Sequence, residues 1–184
     1  MIDEGELINL ALESGMADAV LVGIFEIEFR EDFRRACEAN VCRRFNTSWM
    51  GPPAVGPIRI LKERVRDYQS GLLVQTVHNR DGKFDLNGMM RAAVVHEELF
   101  RNLLKRIRLA YPAKELLPLS AGCCNFCAEC SNPEGKPCRH PDQALSSLEA
   151  YGIDVLALKK KAGLVRQDAG ATFYLVGLIF FNKR

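Results

Sequence analysis

The sequence predicts an α/β or α+β fold: a single mixed sheet of about four strands with helices packed against it, plus a cysteine-rich metal-binding loop at residues 122–141. Three observations predict this. Short apolar segments with two-residue alternation are separated by segments whose apolar residues recur at helical spacing. The last of them, Thr172–Phe181, is apolar in both phases, as a strand covered on both faces must be. Between the two kinds lies a Gly-, Pro- and Asn-containing stretch that holds five of the seven cysteines.

Taken in order, Gly5–Ser14 places Leu7, Ile8, Leu10 and Ala11 at helical spacing. Ala19–Phe29 alternates around Val20, Val22 and Ile24, with Phe25, Ile27 and Phe29 in the other phase, and reads as a strand. Glu31–Ala39 reads as a short helix running into the Cys37–Cys42 stretch. Phe45–Gly56 is irregular, because Gly51-Pro52-Pro53 removes two amide donors and blocks both helix and central strand. A helix restarts at Ile58 and runs to Tyr68, with Ile60, Leu61, Val65 and Tyr68 on one face. Leu72–Val77 is a short apolar strand, and Asn79–Gly82 a turn.

Asn87–Leu109 is a long helix with Met90, Val94, Phe100, Leu103, Leu104 and Ile107 as its apolar stripe, ended by Tyr111-Pro112. Leu116–Ser120 is a strand that runs directly into Gly122 and the cysteines. Pro141–Tyr151 reads as a helix, with proline at its start and Gly152 as its stop. Asp154 is expected to cap a further helix through Lys161, closed by Gly163. Thr172–Phe181 is then the central strand.

The 184 residues are the size of one domain, taken here as residues 1–184. A chain of this length buries roughly 70% of its unfolded surface without help. A metal site is therefore expected to serve function rather than merely complete the core. A net charge of +2 gives no reason to expect nucleic acid as a partner. The runs around Ala19–Phe25 and Phe173–Phe181 are too short to span a bilayer, and the acidic start, Met1-Ile2-Asp3-Glu4, is unlike a secretory signal. A cytoplasmic location is the expectation, and there seven cysteines read as metal ligands, redox groups or core residues rather than disulfides.

From Cys124 the spacing is C-x2-C-x2-C-x7-C, through Cys127 and Cys130 to Cys138. Two successive C-x2-C steps wrap a chain round a compact centre, and a loop closed by Pro133, Gly135 and Pro137 brings the fourth thiol. The tight triplet is the arrangement bacterial ferredoxins use for iron–sulfur clusters. Four thiolates on such a cluster leave negative charge, which Lys136, Arg139 and His140 stand ready to offset, with loop amides donating to the sulfurs. Zinc held by four cysteines is the rival, although zinc sites usually pair two separated C-x2-C hooks. Cys123, Cys127 and Cys130 also spell C-x3-C-x2-C, as in radical S-adenosylmethionine enzymes. That reading fails because so little chain follows Cys123, and because Glu129 stands where an aromatic is usual. Cys123 and Cys124 are adjacent, so in extended chain their side chains point apart and one of them is expected to ligate.

With these residues in place the chain resembles the short prokaryotic proteins described as predicted metal-binding proteins, a domain of unknown function. The resemblance covers nearly the whole chain. It rests on Gly122, Cys124, Cys127, Cys130, Pro137-Cys138-Arg139-His140-Pro141 and Ser147 through Val155. In the N-terminal half it rests on Cys37, Cys42, Ser48-Trp49 and Pro52 through Gly56. It implies metal binding and names no reaction. The chain departs from the family pattern at Gly51, where a third N-terminal cysteine is usual between tryptophan and the two prolines. Cys37 and Cys42 therefore read as remnants of a second site, as partners of a further ligand not visible in sequence, or as ordinary partly buried cysteines.

The remaining chemistry-bearing residues read plainly. His96 is expected at a helix surface or boundary and His78 at a strand end, and no Ser-His-Asp or Cys-His pair can be assembled from spacing. The basic run Arg101–Arg108 reads as the solvated side of a helix. Trp49 with Pro52 and Pro53 either walls a pocket or packs its own loop. The functional expectation is an iron–sulfur protein, of the 4Fe-4S type, that transfers electrons or senses redox state and meets a redox protein partner. Its alternatives are a zinc-stabilised binding module and a component of a metal-dependent enzyme system.

Overall fold

The structure, a computed structural model, describes residues 3–82, 85–165 and 172–182. Helices α1 (Glu4–Glu13), α2 (Asp32–Glu38), α3 (Ile58–Arg66), α4 (Leu86–Ile107) and α5 (Val155–Lys161) surround one sheet. Its strands are β1 (Asp18–Gly23), β2 (Ser70–Asn79), β3 (Leu117–Ser120), β4 (Ser146–Ser147) and β5 (Thr172–Phe181), in the order β1-β2-β5-β3-β4. The pairs β1–β2, β2–β5 and β5–β3 are antiparallel, and β3–β4 is parallel. The fold is mixed α/β as expected, with five strands where about four were anticipated.

Both faces of the sheet are covered, which is why β2 and β5 are apolar in both phases. On one face, Leu72 and Val74 of β2 and Ile179 and Phe181 of β5 meet α1 and α4 through Leu7, Ala11, Phe100, Leu103, Leu104 and Ile107. On the other, Leu73, Val176, Leu178 and Phe180 meet α3 and α5 through Leu61, Val65 and Leu158. The capping chemistry follows local rules. Asp3 and Glu6 form a reciprocal capping box on α1, and the Asp154 carboxylate accepts the Ala157 amide at 2.9 Å to start α5.

Several expectations are corrected. The strand expected over Ala19–Phe29 ends at Gly23, and a single turn of 3-10 helix follows at Ile24–Glu26. Phe29 returns only as an isolated bridge to Ile153, and Phe25 is left exposed. The stripe expected on α4 is right from Phe100 onward and wrong before it: Met90 and Val94 are exposed, while Gly88, Ala92 and His96 are buried. At about 100° per residue, Met90 and Val94 fall about 80° and 120° to one side of Phe100, while His96, Ala92 and Gly88 drift to the other side, which is the buried one, so the apolar character of Met90 and Val94 misleads.

Pro141–Tyr151 is not a helix. It is a turn, the two-residue strand β4 and a second turn, in which the Ser147 hydroxyl accepts the Ala150 amide at 3.0 Å. Ser146 and Ser147 pair with Leu119 and Ser120, so the edge of β3 takes the backbone groups a helix would have used internally.

His96 is also misread by pattern. It is 1% exposed. The Thr76 hydroxyl stands 2.8 Å from His96 Nδ1 and 2.8 Å from His78 Nε2, donating to one ring and accepting from the other. Burial, helped by the neighbouring His78, pushes His96 down to about 4, so it is neutral at physiological pH.

Candidate metal centre

Two parallel strands require a crossover, and between β3 and β4 that crossover is the cysteine loop. Residues 121–145 form neither helix nor strand. Gly122 turns the chain out of β3 at φ +73°, in the left-handed region that favours glycine. The loop is then folded back on itself. The Gly135 amide donates to Asn132 O at 2.9 Å and the Lys136 amide to Ser131 O at 3.1 Å. The Ser131 hydroxyl donates to Pro137 O at 2.8 Å, and the Arg139 guanidinium donates to the Glu129 carbonyl. These bonds carry Cys138 to the triplet.

Cys124, Cys127, Cys130 and Cys138 line one pocket together with Ser48, Trp49, Met50, Phe126, His140 and Ala144. All four cysteines are half-buried. Burial pushes the Cys130 thiol up, but the Asn132 and Trp49 amides, the Ser48 hydroxyl and the charge of Arg139 outweigh it, and the thiol is held below its ordinary value. Lys136 does not take the part suggested for it. Its ammonium pairs with Glu134 at 2.7 Å on the surface. Among the described residues no three Cys, His, Asp or Glu side chains close on a point able to hold a metal ion. The thiols ring a small space, about 20 Å³, instead of meeting.

The wall of this pocket comes from far away in sequence. The Trp49 indole donates to Lys136 O at 2.9 Å and so locks the 48–50 segment onto the loop. Arg101, assigned by pattern to a solvated face, is half-buried and reaches the loop from α4. It pairs with Glu97, donates to Gln143 O at 2.6 Å and stacks over Phe126 at 4.8 Å. Phe126 in turn meets the His140 ring edge-on at 5.0 Å. The only trace of this in sequence is the i,i+4 spacing of Glu97 and Arg101, which serves equally for an exposed pair.

The structure separates the other cysteines from these four. Cys123 lies close enough to Cys37 and Cys42 for the three to act on one another electrostatically, with Glu149 beside them. Cys123 is exposed, yet partial burial raises its thiol, as do Cys42, Cys37 and Glu149, against the pull of Arg44. Burial likewise raises Cys37, opposed by Arg34. Spacing alone had left Cys123 without company. Gly51 also proves unforced. Its backbone is outside the left-handed region, and an added Cβ would have Ser48 O as its nearest neighbour at 3.9 Å. A cysteine at that position would meet neither backbone strain nor a steric clash.

Over residues 21–181 the chain matches the family described as predicted metal-binding protein, DUF2284. It belongs to that family. No curated protein and no solved structure matches it. In this predicted metal-binding protein no helix among the described residues is long and apolar enough to cross a membrane. The grouping of the seven cysteines into four and three makes one expectation sharp. Replacing Cys37 and Cys42 together by Ser, or Cys123 alone by Ser, should leave the metal content per chain unchanged by elemental analysis. Loss of metal from either variant would assign ligands to the group of three.

Proposed function

We propose that this member of the predicted metal-binding family is an iron–sulfur protein, binding a 4Fe-4S cluster through Cys124, Cys127, Cys130 and Cys138, with a role in electron transfer or redox sensing. The observation that carries the reading is the triplet of thiols at C-x2-C-x2-C spacing, joined by Cys138 around one pocket. The donor set suits the group in kind: four thiols, one of them already favoured as thiolate by two amides and a hydroxyl. When bound, such a cluster supplies one-electron transfer.

The chain's own residues do the rest. Asn132, Trp49 and Ser48 donate toward the Cys130 sulfur, and donation of that kind stabilises charge on it. Arg139 adds positive charge nearby. Trp49, Met50 and Phe126 form an apolar surround that limits water. The four thiols would hold the cluster, whereas a single zinc ion would need all four sulfurs at about 2.3 Å from one point.

Metal analysis separates the two. Protein purified without oxygen should be brown and carry iron and acid-labile sulfide in near-equal amounts. Colourless protein with one tightly held zinc and no sulfide defeats the iron–sulfur reading and leaves a zinc-stabilised binding module.

A further inference from the structure

A second, much larger cavity opens beside the cysteine pocket, and we propose that it binds a small organic anion, an oxyanion head carried on an apolar body. The cavity has a volume of about 990 Å³, at the upper end of what small-molecule sites occupy. It exists because β4 is so short. β4 pairs with β3 only at Leu119 and Ser120, which leaves Leu117 and Pro118 without a strand on that side, and these residues form part of the cavity wall. Pro118 has no amide to offer a further strand, so the edge stays open. Trp49, Met50 and Cys138 belong to this cavity and to the cysteine pocket alike, so a bound molecule lies next to the candidate metal centre.

The charge of the lining selects the ligand. Its ionised side chains are Arg64, Arg108 and Lys114 against one carboxylate, Asp142. None of the three cations appears in an ion pair among the described residues. Arg64 donates to the Tyr151 hydroxyl at 3.3 Å, and Arg108 donates to the Asp142 backbone carbonyl at 3.2 Å. Arg108 Nε is buried with no hydrogen-bond partner at all. A buried donor left unpaired is uncommon in a folded protein, and it shows that the chain itself does not use up the hydrogen bonds of this guanidinium. Guanidinium groups present forked donors that match carboxylate and phosphate oxygens. The remaining wall is largely apolar, from Trp49 and Val55 round to Leu116 and Pro137, and suits the body of the molecule.

The proposal goes beyond the cluster reading and does not rest on it, because the cations and the apolar wall stand whichever metal the thiols hold. Trp49 is the only tryptophan and lines the cavity, so its fluorescence reports occupancy. The probes are 4-phenylbutyrate, 4-phenylbutanol and 4-phenylbutylamine, which share one body and differ in the charge of the head. They are titrated into the protein as purified, with metal content measured in parallel. The carboxylate should bind about tenfold tighter than the alcohol, and the amine weakest, since hydrogen bonds to charged groups exceed neutral ones by about that factor.

Lys114→Gln and Arg108→Gln should each weaken the carboxylate severalfold and leave the alcohol and the metal content unchanged. Lys114 is exposed, so its variant folds even if loss of the Arg108 contact to Asp142 disturbs the loop. Equal affinity for the three heads, no response from Trp49, or carboxylate binding indifferent to Lys114→Gln would overturn the proposal. Carboxylate-selective binding by protein that proves to hold zinc would sink the cluster reading and leave this one standing.

Discussion

Cys130→Ser is expected to strip the metal centre, leaving protein without the wild-type metal after gel filtration, while Ser48→Ala retains metal at weakened affinity. Cys130 is the thiol around which the site is best prepared. Amides of Asn132 and Trp49 and the Ser48 hydroxyl favour its ionised form, and Arg139 adds its charge. A serine hydroxyl ionises far less readily and is a poor ligand for a soft centre. Removing the Ser48 donor takes away one supporting bond and leaves the ligand, so a loss of about 10- to 100-fold in metal affinity is expected. Cys127→Ser should behave as Cys130→Ser does. Metal content and absorbance unchanged in both cysteine variants would show that the ligand set has been drawn in the wrong place.

The second large effect lies in the core, at Gly177 of β5. A methyl group there would stand 2.3 Å from Cε2 and 2.5 Å from Cδ2 of Phe100, a side chain that is 0% exposed. Gly177→Ala must therefore displace the ring that seats α4 on the sheet, at a cost of about 1–3 kcal/mol. Phe100→Ala, which leaves a cavity in the same place, should cost about 3–5 kcal/mol. For a chain of this size each kcal/mol lowers the melting temperature by about 2–4 °C. If the clash is the cause, Gly177→Ala should cost much less in a Phe100→Leu background, where the ring is gone. Denaturant unfolding of the four proteins measures this, and an undiminished cost in that background would place the strain elsewhere.

Much of the fold was legible locally. Thr172–Phe181 announced a central strand, because only a strand covered on both faces tolerates apolar residues in both phases. Asp154 and Gly163 marked the limits of α5 through the two ends of a helix that need outside partners. Pro141–Tyr151 carried helical signals too, with proline at its start, Leu145, Leu148 and Tyr151 at near-helical spacing, and Gly152 at its end. It became a strand and turns because β3 lay beside it with unpaired backbone groups. Differences in intrinsic helix preference amount to about 1 kcal/mol or less per residue, so a neighbouring strand edge that offers hydrogen bonds outweighs them.

By itself the sequence determined most of the periodic elements, the Asp154 cap, and the spacing of four cysteines in a candidate metal-binding loop, since each depends on residues a few positions apart. Only the tertiary structure decided what surrounds that loop. Ser48–Met50 close its pocket, Arg101 of α4 holds Phe126 and Gln143, and Cys123 comes within electrostatic reach of Cys37 and Cys42. The cavity with Arg64, Arg108 and Lys114 likewise draws on α3, the end of α4, the 113–119 segment and the cysteine loop. Residues so far apart meet only because the sheet order β1-β2-β5-β3-β4 places the open edge of β3 among them, and that order is set by packing on both faces rather than by any local pattern.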